Sequence, residues 1–400
     1  MTLQPFPVRH RDPKFVIILF FGNDNGLSDQ VETDLDAMAR AAPPDLAVLV
    51  VADTSPGPGQ VLEITTNTRT LLKCLGEIDT GNQELIAELL ARALISYPNA
   101  RHVAIGFSGH GSGVFDEIEP TAYWRLFPWL RPPTPPMPRR FATDKLLVAT
   151  YALMIDRTPE GLLTNAEVRA ILRDAFAAAG RPSDRPVDLI FFDTCLNGMI
   201  EVVTEFEDFA DCIVGSADLQ PDTGWDYRKW LNGTTASPPG DGYAWGALAV
   251  DAMEAAYAGG LERPVTLSAV RARSKITDRF ANLVRQVEPF QLRGFRFLEW
   301  ARSQSQLYGG LRLDSYDLLD FARNLARARE IEEVGVAAEE LIAAIDDAMV
   351  KSIALGLNYA NGLAFWFPCA RITYLKDVTS YRELSFDRLT GWSSYLDTYR

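Results

Sequence analysis

Histidine and cysteine are scarce in this chain, three and four respectively among 400 residues. The cysteines stand at 74, 195, 212 and 369 with no CxxC pair. That excludes a disulfide-dense scaffold and a cysteine-built zinc site, and it makes reduced thiols the expectation. A long hydrophobic run is missing too. The one nearest the N-terminus, Phe15 to Phe21, follows Arg9, His10, Arg11, Asp12 and Lys14. It is too short to span a membrane and lacks a signal-peptide cleavage region, so no membrane partner is expected and the localisation expected is cytoplasmic. Positive charge is in deficit: the net charge is −14. Such a chain repels nucleic-acid phosphates and suits a cationic peptide or a basic protein surface. What is present is ordinary globular material, 47% hydrophobic, 10% aromatic and 23% charged, enough for one large core or two.

The apolar residues are arranged as strands that alternate with helices. KFVIILFF (14–21) is a continuous apolar run closed by the turn residues Gly22 to Gly26, and Val31, Leu35, Met38 and Ala39 follow at helical spacing. LAVLVVA (46–52), VAIGF (103–107), VDLIFF (187–192) and DCIVG (211–215) read as further strands, and 84–97 as an amphipathic helix. Thr164-x-x-Glu167 is a capping box before a helix with Val168, Ile171, Leu172, Ala175 and Phe176 on one face, and Gly180 stands at its end. Strands apolar on both faces, separated by helices, describe a mostly parallel sheet covered on both sides. The segment 116–145 holds seven prolines and reads as a surface loop. A second break falls at LNGTTASPPGDG (231–242), beyond which the chain is helix-rich to about 356.

Ligands of such sheets sit beyond the carboxyl ends of the strands. Two of those ends carry chemistry: 103–107 runs into SGHGSG with His110, and 187–192 runs into DTCLNG with Asp193 and Cys195. A thiol is a nucleophile as thiolate, which an imidazolium or a helix N-terminus favours. The helix expected directly after Cys195, with Leu196, Met199, Val202, Val203 and Phe206 on its apolar face, would point its dipole at the sulfur. Gly109 and Gly111 leave the backbone bare beside His110, so the N–H groups of Gly111 and Cys195 are candidate oxyanion donors. Alone, a cysteine at the end of an apolar strand is more often a core thiol, and Cys74, Cys212 and Cys369 are read so. His10 and His102 are read as turn residues. What sets His110 and Cys195 apart is that they occupy matching strand ends.

These lines resemble the clostripain-like cysteine peptidases, a family in the clan of caspases, legumains, gingipains and separases. The family shows a hydrophobic strand ending in His-Gly and another ending in Asp-x-Cys, here VAIGFSGHGSG and LIFFDTCLNGMIEV. FVIILFFGNDNGLSDQVETDLDAM, LGEIDTGN, LLTNAEV, IVGSADLQPDTGWDY, NGLAFWFP and LTGWSSYLDTY resemble further family segments, so the likeness runs over nearly the whole chain. Thr194 and Asn197 depart from the Ala and Met usual around the nucleophile, and the Pro-rich segment is longer than the usual connection. The resemblance implies an α/β caspase-like fold: a catalytic domain over 1–239 with an insertion at 116–145, and a helix-rich region over 240–400 that packs on it and returns a strand near 363–368.

By the same resemblance Cys195 is the nucleophile that forms a thioester acyl-enzyme and His110 the general acid and base, with no third orienting carboxylate. The family prefers basic P1 residues, Arg before Lys. Asp193 then fits as the acid of the S1 pocket and Asp222 as a second candidate; a turn acid capping the Cys195 helix and an exposed loop acid are the plainer readings of the two. Clan members in bacteria include effectors of intracellular defence and cell death, which is the role expected here. The segment between the dyad residues is expected to be cut in a zymogen, at Arg131, Arg139, Arg140 or Lys145, by the enzyme itself or by an upstream activating protease. Before the cut, Tyr123, Trp124, Phe127 and Trp129 could lie over the site. No cofactor is required, although some relatives need calcium; Asp24, Asp29, Asp34 and Asp36 are a cation-site candidate whose plainer reading is a solvated loop and helix start. Two alternatives remain: a catalytically silent fold that binds basic peptides or partner proteins, and an acyl transferase or amidase using the same dyad.

Overall fold

The computed structural model describes residues 3–23, 27–54, 57–114, 153–157, 160–182, 186–221, 223–260, 264–309 and 314–399. The chain opens with β1 (Phe15–Asn23), α1 (Ser28–Ala41), β2 (Leu46–Thr54), β3 (Gly59–Thr65), β4 (Thr68–Gly76), α2 (Gln83–Ser96) and β5 (His102–Gly109). It continues through β6 (Leu153–Arg157), β7 (Glu160–Leu163), α3 (Asn165–Ala178), β8 (Val187–Asp193), α4 (Ile200–Phe206), β9 (Ala210–Gly215), α5 (Tyr227–Ala236) and α6 (Gly242–Tyr257). In the C-terminal part β10 (Val265–Arg271), β11 (Leu307–Tyr308), β12 (Ser315–Asp317), β13 (Met349–Leu355) and β14 (Ala364–Trp366) are set among helices.

Nine strands form one sheet in the order β13-β10-β9-β8-β5-β1-β2-β3-β4. Its five central strands pair in parallel, β1 with β2 and β5, β5 with β8, and β8 with β9. They are the apolar runs legible in the sequence, and β1 is buried along its whole length. Two antiparallel strands flank the parallel centre on each side. The sheet is therefore mixed, and the C-terminal region supplies β10 and β13 to it. Alternation along β1 splits the core into two layers. Val16, Ile18 and Phe20 face a layer with residues of α2, α3, α4 and the C-terminal helices, whereas Phe15, Ile17, Leu19 and Phe21 face α1, α5 and α6.

The capping box forms as expected: Thr164 is the N-cap of α3, its side chain accepting from the Glu167 N–H while Glu167 reaches back to the Thr164 N–H. Such a cap contributes about 1 kcal/mol. It orients α3, whose buried face carries Val168, Ile171 and Phe176 toward the sheet. The strand expected near 363–368 is β14, which pairs with β12 in a separate three-stranded sheet and touches the segment before α4 through a bridge between Met199 and Ala364.

Three expectations need correction. Cys74 and Cys369 are exposed, and only Cys212 is a buried core thiol; Cys74 lies on β4, an edge strand of the sheet formed by the described residues. His102 opens β5 rather than sitting in a turn, buried with Nδ1 2.7 Å from the Asp188 carboxylate and stacked on Phe15. The helix after Cys195 begins at Ile200, not at once, so its N-terminus does not abut the sulfur. Among the described residues no helix is long and apolar enough to cross a membrane.

Candidate active site

Sheet register places the two reactive groups. Ser108 of β5 and Asp193 of β8 are partners on adjacent parallel strands. His110 lies two residues beyond the first and Cys195 two beyond the second, so both leave the same edge at the same height. The loop after β5 then closes on the turn after β8. A Cβ on Gly111 would lie 2.6 Å from the Cys195 carbonyl oxygen and 2.6 Å from the Thr194 Cβ, and one on Gly113 2.7 Å from the Leu196 carbonyl oxygen. Only glycine allows that approach. Gly109, at φ +147°, turns the chain away from Gly22 and Asn23 at the end of β1, where a side chain would meet both. His110 and Cys195 are both half-buried, reachable from solvent.

The turn that presents Cys195 is strained. Leu196 has φ +63°, a left-handed conformation that costs a bulky residue free energy and persists only where surrounding contacts impose it. Here its N–H donates to the Asp218 carbonyl at 3.3 Å, and the Gly198 N–H donates to the Ser216 carbonyl at 2.7 Å. The two residues that depart from the family pattern bond to each other, the Asn197 side-chain amide donating to the Thr194 hydroxyl. Such local bonds compete with helix, which explains the late start of α4. In place of a helix N-terminus, the sulfur receives the backbone N–H of Gln220 at 3.2 Å.

Asp193 is buried directly below the turn. Its carboxylate accepts from the Tyr227 hydroxyl at 2.8 Å, from the Trp225 backbone N–H and, at 3.5 Å, from the Ser108 hydroxyl. Burial outweighs these donors and pushes its pKa up to about 7. Among the described residues no lysine, arginine or histidine is ion-paired with it. Gly224 covers it so closely that a Cβ there would lie 3.0 Å from Oδ1.

A second acid belongs to this region and is not apparent from a charge count. Asp34 of α1 is buried, and its pKa is pushed up to about 8 by burial first and then by the Asp193 charge, against a bond from the Gln30 side chain. It is not the solvated acid expected of a helix start, although its place among Val31, Leu35 and Met38 on the buried face of α1 was a readable signal. Asp36 instead faces out to Arg69, and Asp29 opens α1. No group of His, Cys, Asp and Glu among the described residues is arranged to hold a metal ion. Asp24, Asp222, the cleavage candidates Arg131, Arg139, Arg140 and Lys145, and the aromatic stretch from Tyr123 to Trp129 lie outside the described residues.

The family model described as the clostripain family matches residues 143–377, more than half of the chain. The chain belongs to the clostripain family. The matched span holds Asp193 and Cys195, and His110 lies N-terminal to it. As a clostripain-family cysteine protease it is similar in fold to three solved structures. A secreted C11 cysteine protease from Bacteroides thetaiotaomicron, in complex with an irreversible peptide inhibitor, superposes with TM-score 0.67 at 14% identity, covering 95% of this chain and 99% of that one. The same organism's secreted C11 cysteine protease "iotapain" gives 0.69 at 13% identity, covering 96% and 100%. An inactive zymogen C11 protease from Parabacteroides distasonis gives 0.68 at 16% identity, covering 96% and 99%. Comparison with curated proteins by sequence yields no match. The mixed sheet with helices on both faces is thus the caspase-like architecture of this family.

Proposed function

We propose that this protease is an endopeptidase that hydrolyses the bond after a basic P1 residue, Arg before Lys, with Cys195 as nucleophile and His110 as general acid and base. His110 takes the thiol proton as sulfur attacks the scissile carbonyl. The tetrahedral oxyanion is held by the N–H groups of Gly111 and Cys195. Collapse expels the amine, protonated by His110, and leaves a thioester that water, deprotonated by His110, hydrolyses. The observation that carries the choice of P1 is the buried carboxylate of Asp193 two residues before the thiol, with no cation paired to it among the described residues, backed by Asp34. A buried carboxylate is costly until a partner arrives, and a guanidinium offers a bidentate one. Asp222 is a further S1 acid in this proposal.

A fluorogenic panel with Arg, Lys, Asp and Asn at P1, run on wild type, Cys195→Ala and His110→Ala, tests the assignment. Cleavage after Arg and Lys only, abolished in both variants with unchanged thermal melts, is expected. The loss in the double variant should be no larger than in either single one, because the two act as a unit. Cys195→Ala that still cleaves a peptide amide would remove the dyad, and equal cleavage after Asp would remove the S1 assignment. Repeating the panel with EDTA tests the calcium requirement known among relatives.

Activation by a cut within 116–145, at Arg131, Arg139, Arg140 or Lys145, is part of the same proposal. Intact mass of wild type and Cys195→Ala after incubation reads it: fragments in the wild type alone mean self-cleavage, and a fully active single chain sinks it. A cytoplasmic setting and a part in bacterial defence or cell death are proposals at the level of the cell, tested by fractionation and by the phenotype of a Cys195→Ala strain.

A further inference from the structure

The segment after β9, residues 216–220, is held at both ends of its reach, and one residue joins the two. The Asp218 carboxylate Oδ1 accepts from the Gly309 N–H at 2.8 Å and from the Leu219 N–H at 2.8 Å. Gly309 follows β11 in the C-terminal region, 91 residues further along the chain. The Asp218 N–H donates to the Thr266 hydroxyl oxygen of β10 at 3.0 Å, and that oxygen lies 2.9 Å from the Ser216 hydroxyl. On the other side, the Asp218 carbonyl holds the N–H of the left-handed Leu196, and two residues on the Gln220 N–H meets the Cys195 sulfur. The segment thus meets the turn at Leu196 through the carbonyl of residue 218 itself and at Cys195 through Gln220 two residues on, while the Ser216 carbonyl holds the Gly198 N–H.

We propose that Asp218 is the positioning residue of the nucleophile: its carboxylate anchors residues 218–220 to the C-terminal region, and through that segment it keeps Leu196 in its strained conformation and the Gln220 N–H on the Cys195 sulfur. The inference rests on the reading of Cys195 as nucleophile. The Asp218 carboxylate meets the N–H groups of Gly309 and Leu219, so its action on the sulfur is indirect. It acts by withholding freedom from a turn that would otherwise relax out of the left-handed region. An N–H aimed at sulfur favours the thiolate over the thiol, as hydrogen bonds to a charged form do. The anchor also gives the C-terminal region a task at the catalytic edge beyond packing: Gly309 sets the position of a segment that contacts the thiol.

The test reads the thiol directly. Wild type, Asp218→Ala and Asp218→Asn are alkylated with iodoacetamide across a pH series, with modification at Cys195 followed by peptide mass because Cys74 and Cys369 are also exposed. In parallel, kcat and KM are measured on an Arg peptide, and thermal melts on each protein. Asp218→Ala should slow Cys195 alkylation and kcat by at least about tenfold, since displacing a reacting group by about an ångström can cost about 100-fold. KM should stay within about twofold, because nothing in the S1 region has changed. The alkylation profile should move to higher pH. Asp218→Asn keeps an oxygen that accepts from Gly309 and Leu219, and should recover most of both rates. Should Asp218→Ala not fold, Thr266→Val loosens the same segment from β10 and should move alkylation in the same direction. Alkylation of Asp218→Ala at the wild-type rate and pH profile would overturn the inference, and so would Asp218→Asn as impaired as alanine. Failure of the dyad itself is recognised separately, by peptide cleavage in Cys195→Ala, and leaves the alkylation comparison intact.

Discussion

A buried acid with no cation paired to it among the described residues is a residue-scale statement about pH. Asp193 has its pKa pushed up to about 7 and Asp34 to about 8, in both cases chiefly by burial, with the Asp193 charge adding to the rise at Asp34. Below that range these two acids are neutral and offer a guanidinium in the proposed S1 site no charge; above it they are anionic. The ratio of kcat/KM for an Arg substrate to that for its neutral isostere citrulline should therefore rise with pH through about 7 to 8. Taking the ratio cancels the titration of the thiol and imidazole, common to both substrates. Asp193→Asn should flatten the ratio and lower Arg turnover by about 2–5 kcal/mol in transition-state binding, because it strands a desolvated guanidinium. Asp34→Asn should remove the upper part of the rise, near 8, and leave the part near 7 that belongs to Asp193. A ratio independent of pH in the wild type, or equal losses on Arg and citrulline in Asp193→Asn, would make Asp193 a purely structural acid.

At the scale of elements, the site is two strand ends and the loops that leave them, and Gly111 lies where those loops leave no room for a side chain. Gly111→Ala puts a methyl 2.6 Å from the Cys195 carbonyl oxygen, closer than any relaxed contact, and the neighbour is main chain that cannot swing aside. The loops must part. We expect kcat to fall about 100-fold or more from misalignment of imidazole and thiol, with a Tm loss of only a few degrees, since the contact lies at the sheet edge outside the core. Wild-type kcat in Gly111→Ala would show that the loops do not meet as described. The same elements mark what could be read from sequence. β1, β2, β5 and β8 are unbroken apolar runs, because strands buried on both faces have no polar side to show, and Thr164-x-x-Glu167 announced α3. The hairpin of β3 and β4 was not legible: β4 is largely exposed, and its polar residues Thr68, Arg69, Thr70 and Lys73 break the apolar pattern. β10 and β13 were hidden differently, one a short VTLSAVR and the other following a helix with no turn residue between. At the site, the strand-end pair of His110 and Cys195 was legible from pattern. Asp218 and the Gln220 N–H were not, because their role comes from contacts with β10, β11 and the thiol that only the assembled sheet creates.

For the whole molecule, the buried acids add to one stability trend. Besides Asp34 and Asp193, burial pushes Glu201 and Glu207 up to about 7, and Asp317 and Asp387 are also raised. A carboxyl whose pKa is higher folded than unfolded keeps its proton in the native state over a range where the unfolded chain has released it. Its contribution to stability is complete below the unfolded pKa, near 4 for carboxylates, and is lost as pH rises through the folded value. The trend is therefore downhill from about pH 5.5 to about pH 8.5, and a Tm fall of at least a few degrees is expected. The net charge of −14 pulls the same way through mutual repulsion, but salt screens exposed charges and leaves buried ones largely untouched. Melts at about 0.5 M NaCl therefore isolate the buried groups. Glu201 offers the sharpest check on one of them: Oε1 accepts from the Trp366 N–H and the Tyr381 hydroxyl, whereas Oε2 is buried with no hydrogen-bond partner among the described residues. Glu201→Gln can keep the first oxygen and set its amide nitrogen at the second position, so it removes a titration without removing the bond between α4 and β14. Its Tm should fall less than the wild type's between about pH 5.5 and about pH 8.5. A wild-type Tm that stays level or rises over that range in high salt would mean that these carboxyls ionise inside the fold at no cost, and would remove the basis for reading Asp193 as an acid waiting for a cation.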